Sequence, residues 1–212
     1  MSKIKVLLVC GPWGCGSSAV AGFLSNGGIY SPGPFHVIPD PKTPQTYEME
    51  AFWQTLIKVI SPPNLKRTGS SAAIVKVLTE FRDNILIDAL QKERVPDDST
   101  IMLKHPLASF VLPEMCEVFD VRILGVLRPI NEIESTRARR QWPLHFGTKG
   151  AEVIYGHLFT HITNTSTPFL LTRYSDLLAN SRRYFDSIAD FAGIVATDEQ
   201  RKLACEFITN RA

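Results

Sequence analysis

Gly11-Pro12-Trp13-Gly14-Cys15-Gly16-Ser17-Ser18 follows a β-branched and leucine-rich run, Lys3 to Val9. It precedes a small and apolar stretch, Ser17 to Leu24, that closes on Asn26-Gly27-Gly28. The first run reads as a strand buried on both faces of a parallel sheet, and the second as a helix with a glycine stop. The GxxxxG spacing from Gly11 to Gly16 at that junction is the spacing of a phosphate-binding loop. Its glycines let backbone N–H groups converge on one anion, and the helix N-terminus adds partial positive charge. Gly14, Cys15, Gly16, Ser17 and Ser18 are therefore the expected anion cradle, the two serines supplying hydroxyl donors as well. A glycine turn that merely joins strand to helix is the alternative, and the flanking elements argue against it.

A loop of this kind that cleaves ATP or GTP carries a lysine after the second glycine, where it neutralises the β- and γ-phosphates. Ser17 occupies that place here. Magnesium-dependent phosphoryl transfer thus lacks its main cation, and a kinase-like phosphotransferase becomes a secondary reading. Binding of a nucleotide 5′-phosphate by amides and hydroxyls survives.

Outward from the loop, Tyr30 to Pro44 holds five prolines and His36, the composition of a segment that runs over a surface or a cleft. Glu48 to Ile60 and Ser70 to Lys92 show helical periodicity. Between them Ser61 to Gly69 offers a mobile lid, with Lys66 and Arg67 closing over a bound ligand, although a solvated charge pair is the favoured reading of those two residues. Ile101 to Leu103 and Val121 to Leu127 read as strands around a helix at Ser109 to Val118. Asn131 to Gln141 and Ala151 to Ile162 read as helices, Phe169 to Thr172 as a strand, and Arg182 to Phe191 as an amphipathic helix stopped by Gly193. Thr197 and Gln200 form the capping box of a terminal helix. Strands alternating with helices predict an α/β fold, a mostly parallel sheet with helices on both faces and a ligand site beyond the strands' carboxyl ends.

Composition sets the outer bounds. The 212 residues suit one domain spanning 1–212, without repeats or an interdomain linker. With 23 Lys plus Arg against 21 Asp plus Glu, the net charge of +2 predicts no general grip on nucleic acid. No apolar run approaches the length of a membrane span, and Val6 to Cys10 is too short for a secretory core, so the expectation is a cytoplasmic protein without a membrane partner. Cys10, Cys15, Cys116 and Cys205 lack metal-ligand spacing and are expected to be free thiols, with no metal.

Three pieces together resemble the sulfotransferases that use 3′-phosphoadenosine 5′-phosphosulfate, a family built on a P-loop NTPase-like fold. Gly16-Ser17-Ser18 stands where the family has the Gly-Thr-Ser/Thr that binds the donor's 5′-phosphosulfate. Val121 to Pro129 is similar to the family's strand ending in Arg-Pro, and the helix after it bears Ser135 and Thr136. The resemblance implies that Arg128 and one of these hydroxyls hold the 3′-phosphate. A guanidinium fork completed by a hydroxyl suits that anion; a pairing of Arg128 with Glu132 or Glu134 is the bland alternative. Phe169 to Leu178, leading to Phe191-Ala192-Gly193-Ile194, is similar to the family's strand, Tyr-Glu-Asp-Leu turn and Phe-Leu-Gly helix end. It implies Tyr174 near adenine; Trp13 is a second aromatic candidate. The pieces run from residue 6 to about 194 and look nearest to compact bacterial-type members.

The chain departs from the family at three places. Gly14 stands where the family commonly has Lys or Arg reaching the leaving phosphate. Ser135 lies seven residues after Arg128 and Thr136 eight, the family's usual spacing being eight, so either hydroxyl is a candidate. Arg201-Lys202 lacks the glycines of the second 3′-phosphate clamp. Lys104-His105, after the strand at Ile101, resemble the family's post-strand Lys and His: Lys104 as cation for the bridging oxygen, His105 as base toward the acceptor. Glu48, in a stretch similar to the bacterial Gly-Tyr-Phe-Glu, is the competing base. The acceptor implied is a small molecule or glycan, its pocket framed by Ser31 to Gln45, Ser61 to Gly69 and Trp142 to Lys149. A nucleotide-binding relative that lost catalysis at Gly14 is the further alternative.

Overall fold

The structure, a computed structural model, describes residues 3–38, 40 and 43–209. Positions 39, 41 and 42 of the proline-rich segment fall outside the described residues. In chain order the elements are β1 (Lys5–Cys10), α1 (Ser17–Asn26), α2 (Glu50–Ile57), β2 (Ile60–Ser61), β3 (Lys66–Arg67), α3 (Ser71–Phe81) and, after a π-helical turn over Arg82–Leu86, α4 (Ile87–Lys92). Then come β4 (Thr100–Lys104), a 3₁₀ segment (Pro106–Val111), α5 (Leu112–Val118), β5 (Asp120–Leu127), α6 (Ile130–Arg140), a 3₁₀ turn (Leu144–Phe146) and α7 (Thr148–Asn164). The chain closes with β6 (Phe169–Arg173), α8 (Tyr174–Ala179), α9 (Ser181–Ala192) and α10 (Asp198–Thr209).

Four strands form one sheet in the order β4-β1-β5-β6, and each neighbouring pair is parallel. Val6 to Cys10 and Ile101 to Lys104 are buried at every position. Successive strand residues point to opposite faces, so unbroken burial requires cover on both. One layer is α1 with α9 and α10, tied by an edge-on contact of Phe23 with Phe185 at 5.4 Å between ring centroids. The other is the Pro106–Val111 segment with α5, α7 and α3. Thr197 and Gln200 cap α10 reciprocally, each backbone N–H donating to the other's side-chain oxygen at 2.8 and 3.2 Å. No described helix is long and apolar enough to cross a membrane.

The predicted lid differs. Ile60–Ser61 and Lys66–Arg67 pair as a short antiparallel ribbon, and Arg67 donates to the buried carboxylate of Glu114, which also accepts from the Ser71 hydroxyl at 2.7 Å. An arginine held by a buried acid on α5 does not swing over a cleft. Of this segment only Pro62 lines a cavity beside the glycine loop.

Candidate active site

All four parallel strands deliver a predicted site residue at their carboxyl ends. β1 runs into the glycine loop, β4 ends on Lys104 with His105 next, β5 is followed by Arg128, and β6 by Tyr174. Parallel register brings these ends to one edge, since Val9 pairs with Lys104, Cys10 with Gly125 and Leu127 with Arg173. That edge is where open α/β sheets bind ligands. Two cavities of about 680 and 700 Å³ open there and share the loop residues Gly14, Ser17 and Ser18.

In the loop, Gly14 and Gly16 have φ of 79° and 96°, the left-handed region that favours glycine. Gly16 is required twice over, because a Cβ there would lie 2.5 Å from the Tyr174 ring. The amides of Gly14, Gly16 and Ser18 have no hydrogen-bond partner among the described residues. Cys15 departs from the expected cradle. Its N–H donates to the Pro12 carbonyl at 3.2 Å, its side chain is buried, and it lines neither cavity. Burial pushes its thiol pKa up, against the opposing influence of the Ser17 amide and hydroxyl.

The second cavity is bounded by the loop, Arg128, Thr136 and Tyr174. The hydroxyl of Tyr155 on α7 accepts from the Arg128 N–H at 2.9 Å and donates to the Val126 carbonyl at 3.2 Å, fixing the chain where it leaves β5. The Arg128 side chain turns toward the loop. Nη1 donates to the Gly14 carbonyl at 2.9 Å and to Thr136 Oγ1 at 3.4 Å, and the guanidinium carbon lies 5.6 Å from the Tyr174 ring centroid. Nε meets Glu132 at 3.0 Å, so the bland pairing coexists with the loop contact, while Nη2 keeps its hydrogens free of any described partner. Thr136 is the hydroxyl brought to Arg128. Ser135 is not: it is exposed and donates to the Asn131 carbonyl of its own helix at 2.8 Å.

In the first cavity Glu48, Lys104 and His105 form a buried group, at 8, 3 and 3% exposure. The proline-rich segment is zipped at its ends, where His36 N–H donates to the Glu48 carbonyl at 2.7 Å and Glu50 N–H to the Pro34 carbonyl at 2.8 Å. Glu48 precedes α2 rather than opening it. Tyr47, at φ 56°, turns the chain so that the Thr46 carbonyl and the Glu48 carboxylate both meet Lys104 Nζ, at 3.1 and 2.6 Å. The third ammonium donor reaches Ser18 Oγ at 2.9 Å. Burial pushes the Glu48 pKa up, but the charges of Lys104 and His105 and the Lys104 hydrogen bond outweigh it and hold the carboxyl below its ordinary value.

His105 is brought to the group in a form unsuited to accept a proton. It caps the Pro106–Val111 segment, Nδ1 accepting from the Leu107 N–H at 3.0 Å. The neutral ring's hydrogen therefore sits on Nε2, facing Glu48 Oε2 at 3.7 Å. Burial, chiefly, lowers its pKa to about 4.

The remaining wall of the first cavity draws on all three segments expected to frame a pocket, through His36, Asp40 and Thr43, Pro62, and Trp142 and Phe146, and adds Trp53, Arg139 and Arg140, which the sequence did not single out. All three tryptophans of the chain, Trp13, Trp53 and Trp142, line it. Trp13 stacks on Phe146, with ring centroids 4.3 Å apart, and is absent from the second cavity, so it lies on the side away from Tyr174. His36 packs at a tilt against Trp53, with ring centroids 4.3 Å apart, and holds Glu50 Oε2 through Nδ1 at 2.7 Å. Arg140 donates to Asp40 and, at 2.7 Å, to Thr43, pinning the proline-rich segment to the end of α6. Arg139 and Arg140 line both cavities. A run of arginines ending a helix reads as complement to its macrodipole, which is why sequence alone did not single them out.

No protein-family model matches the chain, and no curated protein matches it in sequence. Solved structures do match. STF1 of Mycobacterium tuberculosis, a sulfotransferase, aligns over 100% of this chain and 76% of its own, with a TM-score of 0.63 and 15% identity. The sulfotransferase domain of the Synechococcus PCC 7002 olefin synthase aligns over 94% of this chain and 77% of its own, at TM-score 0.59 and 18% identity. The sulfotransferase domain of the curacin biosynthetic pathway covers the same shares at TM-score 0.58 and 16% identity. At such identities the likeness is one of architecture: the chain is folded as these sulfotransferases are, on the P-loop NTPase-like α/β framework.

Proposed function

We propose that the chain is a sulfotransferase that moves a sulfuryl group from 3′-phosphoadenosine 5′-phosphosulfate to a hydroxyl or amine of a small molecule or glycan. The single observation that carries the reading is Lys104, whose ammonium spans from Ser18 of the glycine loop to Glu48 of the adjoining cavity. One buried cation thereby joins an anion cradle to a carboxylate across the place where the two cavities meet. The shared fold supports the same reading.

In this reading the donor lies in the second cavity. The free amides of Gly14, Gly16 and Ser18 and the serine hydroxyls take the 5′-phosphosulfate, Arg128 Nη2 and Thr136 take the 3′-phosphate, and Tyr174 lies along the adenine. The acceptor enters the tryptophan-lined cavity. Glu48 Oε1 is held by Lys104, while Oε2 is beyond hydrogen-bond distance of His105 and has a lone pair to receive the acceptor proton. The acceptor oxygen or nitrogen bonds to sulfur as the bond from sulfur to the bridging oxygen breaks, and the electron pair stays on the 5′-phosphate. His105 is a positioning residue, fixing the turn that presents Lys104.

Incubation of the purified protein with radiosulfur-labelled donor and a panel of alcohols, amines and glycans tests the reading. Labelled product with release of 3′-phosphoadenosine 5′-phosphate is expected, and loss of both in Glu48→Gln. Tight binding of that nucleotide without turnover on any acceptor would support the inactive relative instead.

A further inference from the structure

Sulfuryl transfer leaves the electron pair of the broken bond on the 5′-phosphate, so charge grows at that oxygen as the reaction proceeds. A cation with unspent donors must face it if the site is to stabilise that charge. Lys104 does not meet this need as it stands. Its three N–H groups are taken by Ser18 Oγ, the Thr46 carbonyl and Glu48 Oε1. Arg128 spends Nε and Nη1 on Glu132, the Gly14 carbonyl and Thr136, and its free Nη2 is taken in this reading by the 3′-phosphate. Arg140 has its charge paired with Asp40, donates through Nη1 to Asp40 and Thr43, and lies over Trp142 with its guanidinium carbon 4.8 Å from the ring centroid; its Nε is unpartnered but buried, out of reach of a ligand. Gly14 contributes no side chain.

Arg139 is different. It lines both cavities together with Gly14, Ser17 and Ser18, is exposed, and makes no hydrogen bond or ion pair with any described residue. Its placement follows from α6. A Cβ on Gly14 would meet Thr136 Cγ2 at 3.6 Å and Ile133 Cγ2 at 3.7 Å, so the loop lies against the 133/136 face of that helix. Residues three apart share a face, and Arg139 is one turn beyond Thr136. Arg139 thus stands on the helix on which the loop rests and borders both cavities.

Resting on the sulfotransferase reading, we infer that Arg139 is the residue that binds the donor's 5′-phosphate and neutralises the charge left there, supplying from α6 the cation that the loop lacks at Gly14. The site then has two arginines with divided work: Arg128, in the turn from β5 into α6, for the 3′-phosphate and Arg139, near the end of α6, for the 5′-phosphate.

Calorimetry with 3′-phosphoadenosine 5′-phosphate, and competition against it by adenosine 3′-phosphate, separates this role from a solvated surface arginine. In Arg139→Ala the bisphosphate is expected to bind about ten- to hundredfold more weakly, the loss of a charge-assisted contact, while adenosine 3′-phosphate binds as in wild type. Arg139→Lys should recover most of the bisphosphate affinity. An unchanged bisphosphate affinity in Arg139→Ala, or an equal loss for both ligands, would overturn the inference alone. A wild-type protein that binds neither ligand would instead remove the sulfotransferase reading on which it rests.

Discussion

Lys104 and Glu48 form an ion pair buried at the mouth of the sheet, with 2.6 Å between Nζ and Oε1, and each is more than nine-tenths hidden from solvent. Removing one partner of such a pair leaves an uncompensated charge in a poorly solvated place. Lys104→Met is expected to destabilise the chain by roughly 3–5 kcal/mol, and Lys104→Met with Glu48→Gln to recover a large part of that. Urea denaturation of the two single variants and the double variant measures the coupling. Simple additivity would show that the two groups do not act as a pair.

His105 makes stability depend on pH. Its folded-state pKa, near 4, lies below the ordinary 6.5 because burial disfavours the charged ring. The unfolded chain takes up the proton first as the pH falls. Its contribution is thus complete above 6.5 and lost toward 4, on the order of 3 kcal/mol. Denaturation midpoints across that window should fall in wild type and fall less in His105→Asn, which keeps an N-capping acceptor without titrating in this range. Equal slopes would place the acid sensitivity elsewhere.

Gly16 and Gly14 are both left-handed but differ in their surroundings. A methyl on Gly16 meets the Tyr174 ring at 2.5 Å, whereas one on Gly14 finds its nearest neighbour at 3.6 Å. Gly16→Ala should therefore cost both backbone strain and displacement of Tyr174, abolishing nucleotide binding. Gly14→Ala should cost about 1 kcal/mol from backbone strain and retain binding. Thermal unfolding with a nucleotide titration distinguishes the two; equal effects would mean the ring does not hold the loop.

Arg140 ties the proline-rich segment to α6 through Asp40 and Thr43. Arg140→Met should loosen that segment and speed limited proteolysis within 36–48 several-fold, while α6 and the sheet stay intact. An unchanged cleavage pattern would show that the zipped ends, His36 to Glu48 and Pro34 to Glu50, suffice to hold it.

The four strands were legible because parallel, doubly buried strands leave continuous apolar runs, and the loop because glycine spacing sits between such a run and a helix. Arg128 stands out through the resemblance of its strand and Arg-Pro turn to the sulfotransferase pattern, since a strand-end arginine alone reads as one half of a salt bridge. Ser135 and Thr136 could not be separated by spacing alone, since one residue turns a helix by about 100° and only packing decides which hydroxyl faces inward. His105 carried the right residue type in the right place, yet its Nδ1 is spent on the Leu107 amide, a local contact that no pattern announces. The ribbon at Ile60–Ser61 and Lys66–Arg67 is too short to show a period, and Glu114, its anchor, is distant in sequence. The loops that frame the tryptophan-lined cavity were legible from their proline and aromatic content, whereas Trp53, on α2, and Arg139, on α6, carry no local signal of facing it.

Calorimetric titration of 3′-phosphoadenosine 5′-phosphate against ADP, each with and without magnesium, bears most directly on the two-cavity site as a sulfuryl-transfer centre. The expected result is tight binding of the bisphosphate, indifferent to magnesium and strongly preferred over ADP. Binding of ADP that requires magnesium and matches or exceeds the bisphosphate would contradict it.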